Sequence, residues 1–344
     1  MHPVGGGRRV TITDVARHAG VSTSAVSKVL RNAYGVSDAM RERVRGAMAE
    51  LDYRPHAAAR GMRGRTYTIG VLLDNLRNAF FADILDGVGG HLRATEYQLL
   101  LGAAGFGADD QARLARAMVD RQMDGLILIG PGFARREVLG VAAAVPTVVI
   151  GHHDTAEAYD TVVDADAEGA GLVVDHLAGL GHRRIALTSA HGNAGTGWAG
   201  TPERVQRRGY REAMRRHGIE EHARIATTAY SEEGGYRAGM ELLASGPRPT
   251  AVFAGADVAA MGVFRAAREL GLRIPDDLSL AGYNNTEVAA LAPVRLTSVD
   301  QAGGLMGETA ARLLLERVEG RGRAVRVSVS PSLVIRGTTG PAPR

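Results

Sequence analysis

The 344-residue chain contains no cysteine. That absence excludes a disulfide scaffold, a thiolate metal centre and a cysteine nucleophile, and it agrees with a reducing compartment. Lysine is nearly absent as well: arginine supplies all the positive side chains except Lys28. No apolar run is long enough to span a bilayer, and the opening "MHPVGGGRRV" has no signal-peptide h-region, so a cytoplasmic protein without a membrane partner is expected. G-x-x-x-x-G-K-[ST], HExxH and GxSxG are also missing, which removes the simplest signs of a nucleotide hydrolase, a metalloprotease and a serine hydrolase. His176 and His182 lie six residues apart with no accompanying carboxylate set, so no metal site is expected.

What is present divides the chain in two. The net charge of +4 conceals an asymmetry: residues 1–65 hold twelve Lys+Arg against five Asp+Glu, a net of +7, and the remainder holds 29 against 32, a net of −3. A basic module on a slightly acidic body is what a nucleic-acid contact needs, because phosphate neutralisation is local.

The basic part contains "ITDVARHAGVSTSAVSKVL", residues 12–30. Thr13 stands where it can cap a first helix, and Asp14 suits its first turn, where the helix dipole favours an anion. Val15, Ala16 and Ala19 form an apolar stripe, Gly20 supplies a turn, and Ser22 caps a second helix in which Val26, Val29 and Leu30 repeat the stripe. "SDAMRERVRGAMAELDY" adds a third helix, capped at Ser37, with Met40, Val44, Met48 and Leu51 on one face. The pattern predicts a helix-turn-helix whose second helix can enter a major groove. An αα-hairpin with no DNA role has the same spacing; the local arginine excess favours the first reading. "YRPHAAARGMRGRT", residues 53–66, then offers an alanine-rich helical core too short to persist alone, so that helix formation there would be coupled to DNA binding.

Taken in order, "TITDVARHAGVS", "VSKVL", "VSDAMRERV", "AELDYRPHAAAR", "TIGVLL" and, near the C-terminus, "PSLVIRGTTGP" resemble the LacI/GalR family of transcription regulators over almost the whole chain. The resemblance implies that Thr23, Ser24 and Lys28 read bases in the major groove, with Thr11 and Ser22 on phosphates. It further implies DNA contacts from Tyr53, His56, Ala59 and Arg60, and a minor-groove wedge at Met62, where the family carries leucine. His56 replaces the usual asparagine, and Gly61 weakens the short hinge helix by about 1 kcal/mol relative to alanine.

Beyond Thr66, strand-like runs ("TYTIGVLL", "YQLLLG", "DGLILIG", "PTVVIG") alternate with helical ones, and the alternation starts afresh after about residue 166. Such alternation implies parallel sheets covered on both faces, and two runs imply two lobes. The expected fold is an all-α helix-turn-helix DNA-binding domain plus an α/β two-lobed, periplasmic-binding-protein-like core of two doubly wound parallel sheets. Residues 1–9 form a disordered tail, 10–55 the DNA-binding domain, 56–66 the hinge, and 67–344 the effector-binding and dimerisation core. By the resemblance the first lobe takes about 67–163 and 296–325, the second about 164–295 and 326–340, and "VRLTSVD" returns to the first lobe after a crossing near 290–297.

Ligands in such folds sit beyond the carboxyl ends of strands, here in a cleft between the lobes. The resemblance places Asn78, Phe81, His152, Trp198, Gln206, Tyr230, Asp257 and Asn284 at that cleft. Gln206 stands for a family arginine, Asn284 for an aspartate, and Gly151 for a polar residue. Amides in place of charges make weaker hydrogen bonds and change which donors a ligand must present.

"GTGWAG", residues 195–200, is literally G-x-G-x-x-G, but its helix opens at Pro202, after the motif has ended. In a dinucleotide site the helix begins within the glycine run and holds the pyrophosphate. A glycine loop at the cleft mouth, with Trp198 as lid or ligand contact, is the better account. The sequence therefore predicts a non-enzymatic regulator without cofactor, most simply a repressor. It would bind a palindromic double-stranded operator as a homodimer and answer to a small-molecule effector such as a sugar. The C-terminus "GTTGPAPR" offers no heptad for a larger assembly. Two alternatives stay open: the same regulator with lost or atypical effector response, and an NAD-dependent oxidoreductase.

Overall fold

A computed structural model of the chain describes residues 10–30, 33–53, 65–190 and 196–343. The expected tail at 1–9 and the hinge positions His56, Ala59, Arg60, Gly61 and Met62 lie outside the described residues. The chain divides into two compact units, Met1–Thr66 and Tyr67–Arg344.

The first unit holds α1 (Ile12–Ala19), α2 (Thr23–Leu30) and α3 (Asp38–Glu50). Thr11, not Thr13, caps α1. Its hydroxyl accepts the Asp14 N–H while the Asp14 carboxylate takes the Thr11 N–H at 2.9 Å, a reciprocal capping box. Thr13 already lies inside the first turn, where its side chain cannot reach the free amides at the helix start. Gly20 ends α1 at φ 63, a left-handed conformation that costs glycine nothing. Ser22 and Ser37 accept from the amides of Ala25 and Met40, as their spacing predicts. The core is small, formed by Val15, Ala16, Val26, Val29, Val44 and Ala47, with Met40, Met48, Leu51 and Tyr53 packed around it.

The second unit begins with β1 (Thr68–Leu73), α4 (Phe80–Leu92), β2 (Gln98–Ala103), α5 (Ala108–Asp120), β3 (Gly125–Ile129), α6 (Arg135–Ala144), β4 (Thr147–Ile150) and β5 (Asp160–Asp164). The alternation resumes with α7 (Asp166–Gly179), β6 (Ile185–Ala190), α8 (Pro202–Arg216), β7 (Arg224–Thr228), α9 (Glu232–Ala244), β8 (Ala251–Ala254), α10 (Asp257–Glu269), β9 (Ser279–Tyr283), α11 (Glu287–Ala290) and β10 (Thr297–Asp300). It closes with α12 (Gly303–Val318), β11 (Arg326–Val329) and β12 (Ser332–Val334). One sheet has the order β11-β5-β4-β3-β1-β2, the other β12-β10-β9-β8-β6-β7. Every pairing is parallel except that of β12 with β10. Each sheet is covered twice, and the period of two divides each strand between the layers. In β1, Ile69, Val71 and Leu73 face α4 and α12, while Leu72 joins the layer of α5 and α6. A fully buried aliphatic side chain of this kind contributes about 1.5–3 kcal/mol.

Two lobe boundaries differ from expectation. β10 pairs with β9, Thr297 opposite Ala281, so "LTSVD" stays in the second lobe and the chain returns to the first only after Asp300. Residues 284–296 supply the dozen or so residues that a parallel crossover to a neighbouring strand requires. β11 pairs with β5, Arg326 opposite Thr161, so 326–329 belongs to the first lobe. A buried carboxylate holds this returning segment: Asp160 of β5, fully buried, faces Arg317 at 3.0 Å and Arg321 at 2.5 Å from the end of α12. The three crossings thus fall at Asp164–Asp166, Asp300–Gly303 and Val329–Ser332.

Candidate functional site

In the first unit, packing decides which face of α2 is presented. Val26, Ser27 and Val29 turn inward, and Thr23, Ser24 and Lys28 are exposed. Ser24 and Lys28 are four residues apart and share a face. Ser22 caps as an acceptor and so keeps its own proton free to donate. The Thr11 hydroxyl instead donates to Asp14 at 2.7 Å, which removes the donor its expected phosphate contact would use. Tyr53 is half-buried against the three-helix core.

In the second unit, the carboxyl ends of both sheets open onto one cavity of about 390 Å³. Asn78 enters from the β1–α4 connection, Phe81 from the first turn of α4 and His152 from the end of β4; Tyr230, Tyr283 and Asn284 enter from the ends of β7 and β9, and Glu203 and Gln206 from the first turns of α8. The Tyr230 hydroxyl donates to Gln206 Oε1 at 3.0 Å. Gly255 makes room for that pair: a Cβ there would lie 2.5 Å from the Tyr230 hydroxyl and 2.6 Å from Gln206 Oε1. Asn284 Nδ2 donates to Gln301 Oε1 at 2.6 Å.

The cavity floor is acidic. Asp164 and Asp166 bracket the first crossing, and both are 1% exposed. Asp164 accepts from the Tyr283 hydroxyl at 2.8 Å, and Asp166 Oδ2 lies 2.7 Å from His153 Nε2. The Arg326 guanidinium faces His153 Nδ1, so that nitrogen accepts and Nε2 carries the proton given to Asp166. Burial raises both carboxyls, and the charge of Asp164 raises Asp166 further. Each carboxyl so placed disfavours ionisation of the other. Burial also raises Glu203, whose carboxylate accepts from Thr201 at 2.6 Å. His152 and His153 are both pushed down to about 4, chiefly by burial, with Arg326 adding to the effect on His153.

Six of the eight residues expected at the cleft line it: Asn78, Phe81, His152, Gln206, Tyr230 and Asn284. Trp198 does not. Its indole is 3% exposed, donates to the Phe133 carbonyl at 2.8 Å and stacks on His152 at 4.2 Å. It packs with Phe133 and Val138 of the first lobe and backs the His152 wall instead of forming a lid. Asp257 does not either: its carboxylate accepts from the Thr286 N–H at 2.8 Å, the Thr286 hydroxyl at 3.0 Å and the Ser298 hydroxyl at 2.6 Å. It ties α10 to the β9–β10 crossover, and burial pushes it up to about 6. His176 and His182 are structural, bonded to Thr339 and to Thr250 and Ser279. The sequence reading missed Asp164, Asp166, Glu203, Tyr283 and Gln301. The signal was there in "VVDADAEG", an acidic pair at the carboxyl end of a strand, which is where ligands gather in this architecture.

A family model described as bacterial regulatory proteins, lacI family, matches residues 11–56, and one described as a periplasmic binding protein-like domain matches residues 174–339. The HTH-type transcriptional repressor PurR of Vibrio vulnificus is 33% identical over 338 residues, 95% of this chain and 98% of the relative. The chain belongs to the LacI family. A second relative in it, the ribose operon repressor of Haemophilus influenzae, is 33% identical over 329 residues, covering 95% of this chain and 97% of the relative. Among solved structures, a lac repressor dimer bound to operator and the anti-inducer ONPF superposes with a TM-score of 0.80 at 28% identity, covering 97% of this chain and all of that one. The LacI-family fold accounts for both units: the helix-turn-helix and the two-lobed core that follows it in sequence.

Proposed function

We propose that this chain is a transcriptional repressor that binds a roughly palindromic DNA operator as a homodimer and changes its operator affinity when a small molecule occupies the cleft. The observation that carries the reading is the presence, in one chain, of exposed Thr23, Ser24 and Lys28 on a capped second helix and of a cavity with an apolar wall and an acidic floor at the carboxyl ends of two sheets. Two-fold symmetry of a dimer presents one recognition helix to each half-site, which makes the operator palindromic. The operator-bound dimer among its structural relatives supports that assembly, and the repressor names of its relatives support the direction of control. Ligand control follows from the cleft: a molecule that touches both lobes favours one lobe arrangement over the other, and so biases whatever the first lobe presents to DNA.

The test is selection of duplexes from a random pool by the full chain, followed by affinity measurement against salt. A palindrome should be enriched, and log affinity should fall linearly with log salt. Lys28→Ala should weaken binding and, if Lys28 meets a phosphate, reduce the salt slope by about one. Binding that ignores both sequence and salt would contradict the reading.

A further inference from the structure

We infer that the cleft takes a small organic cation, a ligand carrying a protonated nitrogen on a frame of roughly monosaccharide size, and that it selects against anions. This rests on reading the cleft as the effector site. Hydrogen bonding fixes what the deep polar groups can offer. Asp164 takes the amide hydrogens of Gln301, which turns Gln301 Oε1 toward Asn284 Nδ2. Asn284 Oδ1 is then left without a hydrogen-bond partner on a side chain that is 8% exposed. His152 repeats the pattern. Its Nε2 sits 2.8 Å from the Pro131 carbonyl and must carry the ring proton, and burial keeps the ring neutral. Nδ1 is therefore a bare lone pair, buried and unpartnered. Both orphaned atoms on the cavity lining are acceptors, and a buried acceptor left unsatisfied favours a ligand that donates to it.

Charge points the same way. The described lining residues include four carboxyls, from Asp74, Asp164, Asp166 and Glu203, and neither lysine nor arginine. Arg207, one turn along α8 from Glu203, gives its guanidinium to Ser189 and to the Ala190 carbonyl. Donors that the cavity retains, such as the Asn78 amide, are neutral. Arg204 and Arg207 act on Glu203 from outside the lining, but the lining itself carries carboxyls and no cationic side chain, which attracts a cation and repels phosphate or carboxylate.

The experiment is calorimetry on the full chain with amines, each paired with its N-acetyl derivative: glucosamine, galactosamine and putrescine, with glucose and glucose 6-phosphate as neutral and anionic references. At least one amine should bind about tenfold or more tightly than its acetylated partner, and glucose 6-phosphate should not bind. Glu203→Gln, at a half-buried position that tolerates an amide, should shrink the amine preference, and Asp166→Asn should shrink it further. Equal binding of amine and acetyl partners, tight binding of the phosphate, or no amine binding at all would overturn the inference. A neutral sugar that binds and shifts operator affinity would overturn the inference but leave the regulator reading intact. An amine that binds without shifting operator affinity would uphold the cation preference and contradict the regulatory reading.

Discussion

The two walls of the cleft are made of different chemistry. The first lobe contributes Phe80, Phe81, Ile84, Ile129, Ile150 and Met306, with polar Asp74, Asn75 and Asn78 in the loop after β1 and His152 after β4. The second lobe and the crossing segments contribute Asp164, Asp166, Glu203, Gln206, Tyr230 and Asn284. An apolar wall supplies affinity in proportion to area but gives no orientation, whereas a wall of fixed acceptors supplies orientation and discrimination. Each lobe alone is half a site. A ligand held by both therefore couples the lobes, which is what a device that reports occupancy of its cleft needs.

The largest effect should come from breaking the acceptor wall at its tightest point. Gly255→Ala places a methyl against the Tyr230 hydroxyl, Gln206 Oε1 and, at 2.8 Å, the Thr188 carbonyl. The side chains can move but the backbone cannot, so calorimetry should show ligand affinity falling ~100-fold, with overpacking of about 1–3 kcal/mol in the core beside it. Asp257→Ala should separate support from contact. It strips three buried donors of their acceptor and should lower stability in urea by about 2–4 kcal/mol, with ligand Kd unchanged because Asp257 does not line the cavity. Phe81→Ala trims the apolar wall and should weaken every ligand by about tenfold irrespective of charge, whereas Glu203→Gln should discriminate by charge.

The smallest effect concerns protonation. The His152 ring is held down to about 4 by burial, against 6.5 for the unperturbed group. The unfolded chain takes up that proton first as pH falls through this window, so the group's contribution makes the fold lose stability on acidification toward pH 4. Nitrogen chemical shifts at pH 5 should report a neutral ring with an unprotonated Nδ1, and a donor-bearing ligand should move the Nδ1 signal. A protonated ring at pH 5 would contradict the acceptor assignment.

The sequence made local features legible and left partners hidden. Ser22, Ser37 and Gly20 could be assigned in advance because capping and left-handed turns depend on a few consecutive residues. The strands were visible, but "LTSVD" alternates equally well in either sheet, and β11 and β12 lie two residues apart yet pair in different lobes. Pairing is a non-local property that period-two alternation does not encode. The cleft shows the same divide. Gln206, Tyr230 and Asn284 were reachable by position, whereas Trp198 and Asp257 carry functional-looking residue types whose hydrogen bonds turn them into scaffold. Asp166 and Glu203 were hidden by their own setting, since an acid in the first turn of a helix is already explained by the dipole. Only burial on the structure reveals Asp166 as part of an acceptor floor.

Cleft occupancy as the determinant of operator affinity is tested most directly by fluorescence anisotropy of the selected palindrome with the full chain, with and without saturating amounts of the tightest cleft ligand. A shift in affinity of about 5–150-fold, lost in Gly255→Ala, is the predicted result. Unchanged affinity, with calorimetry showing the cleft filled, would contradict it.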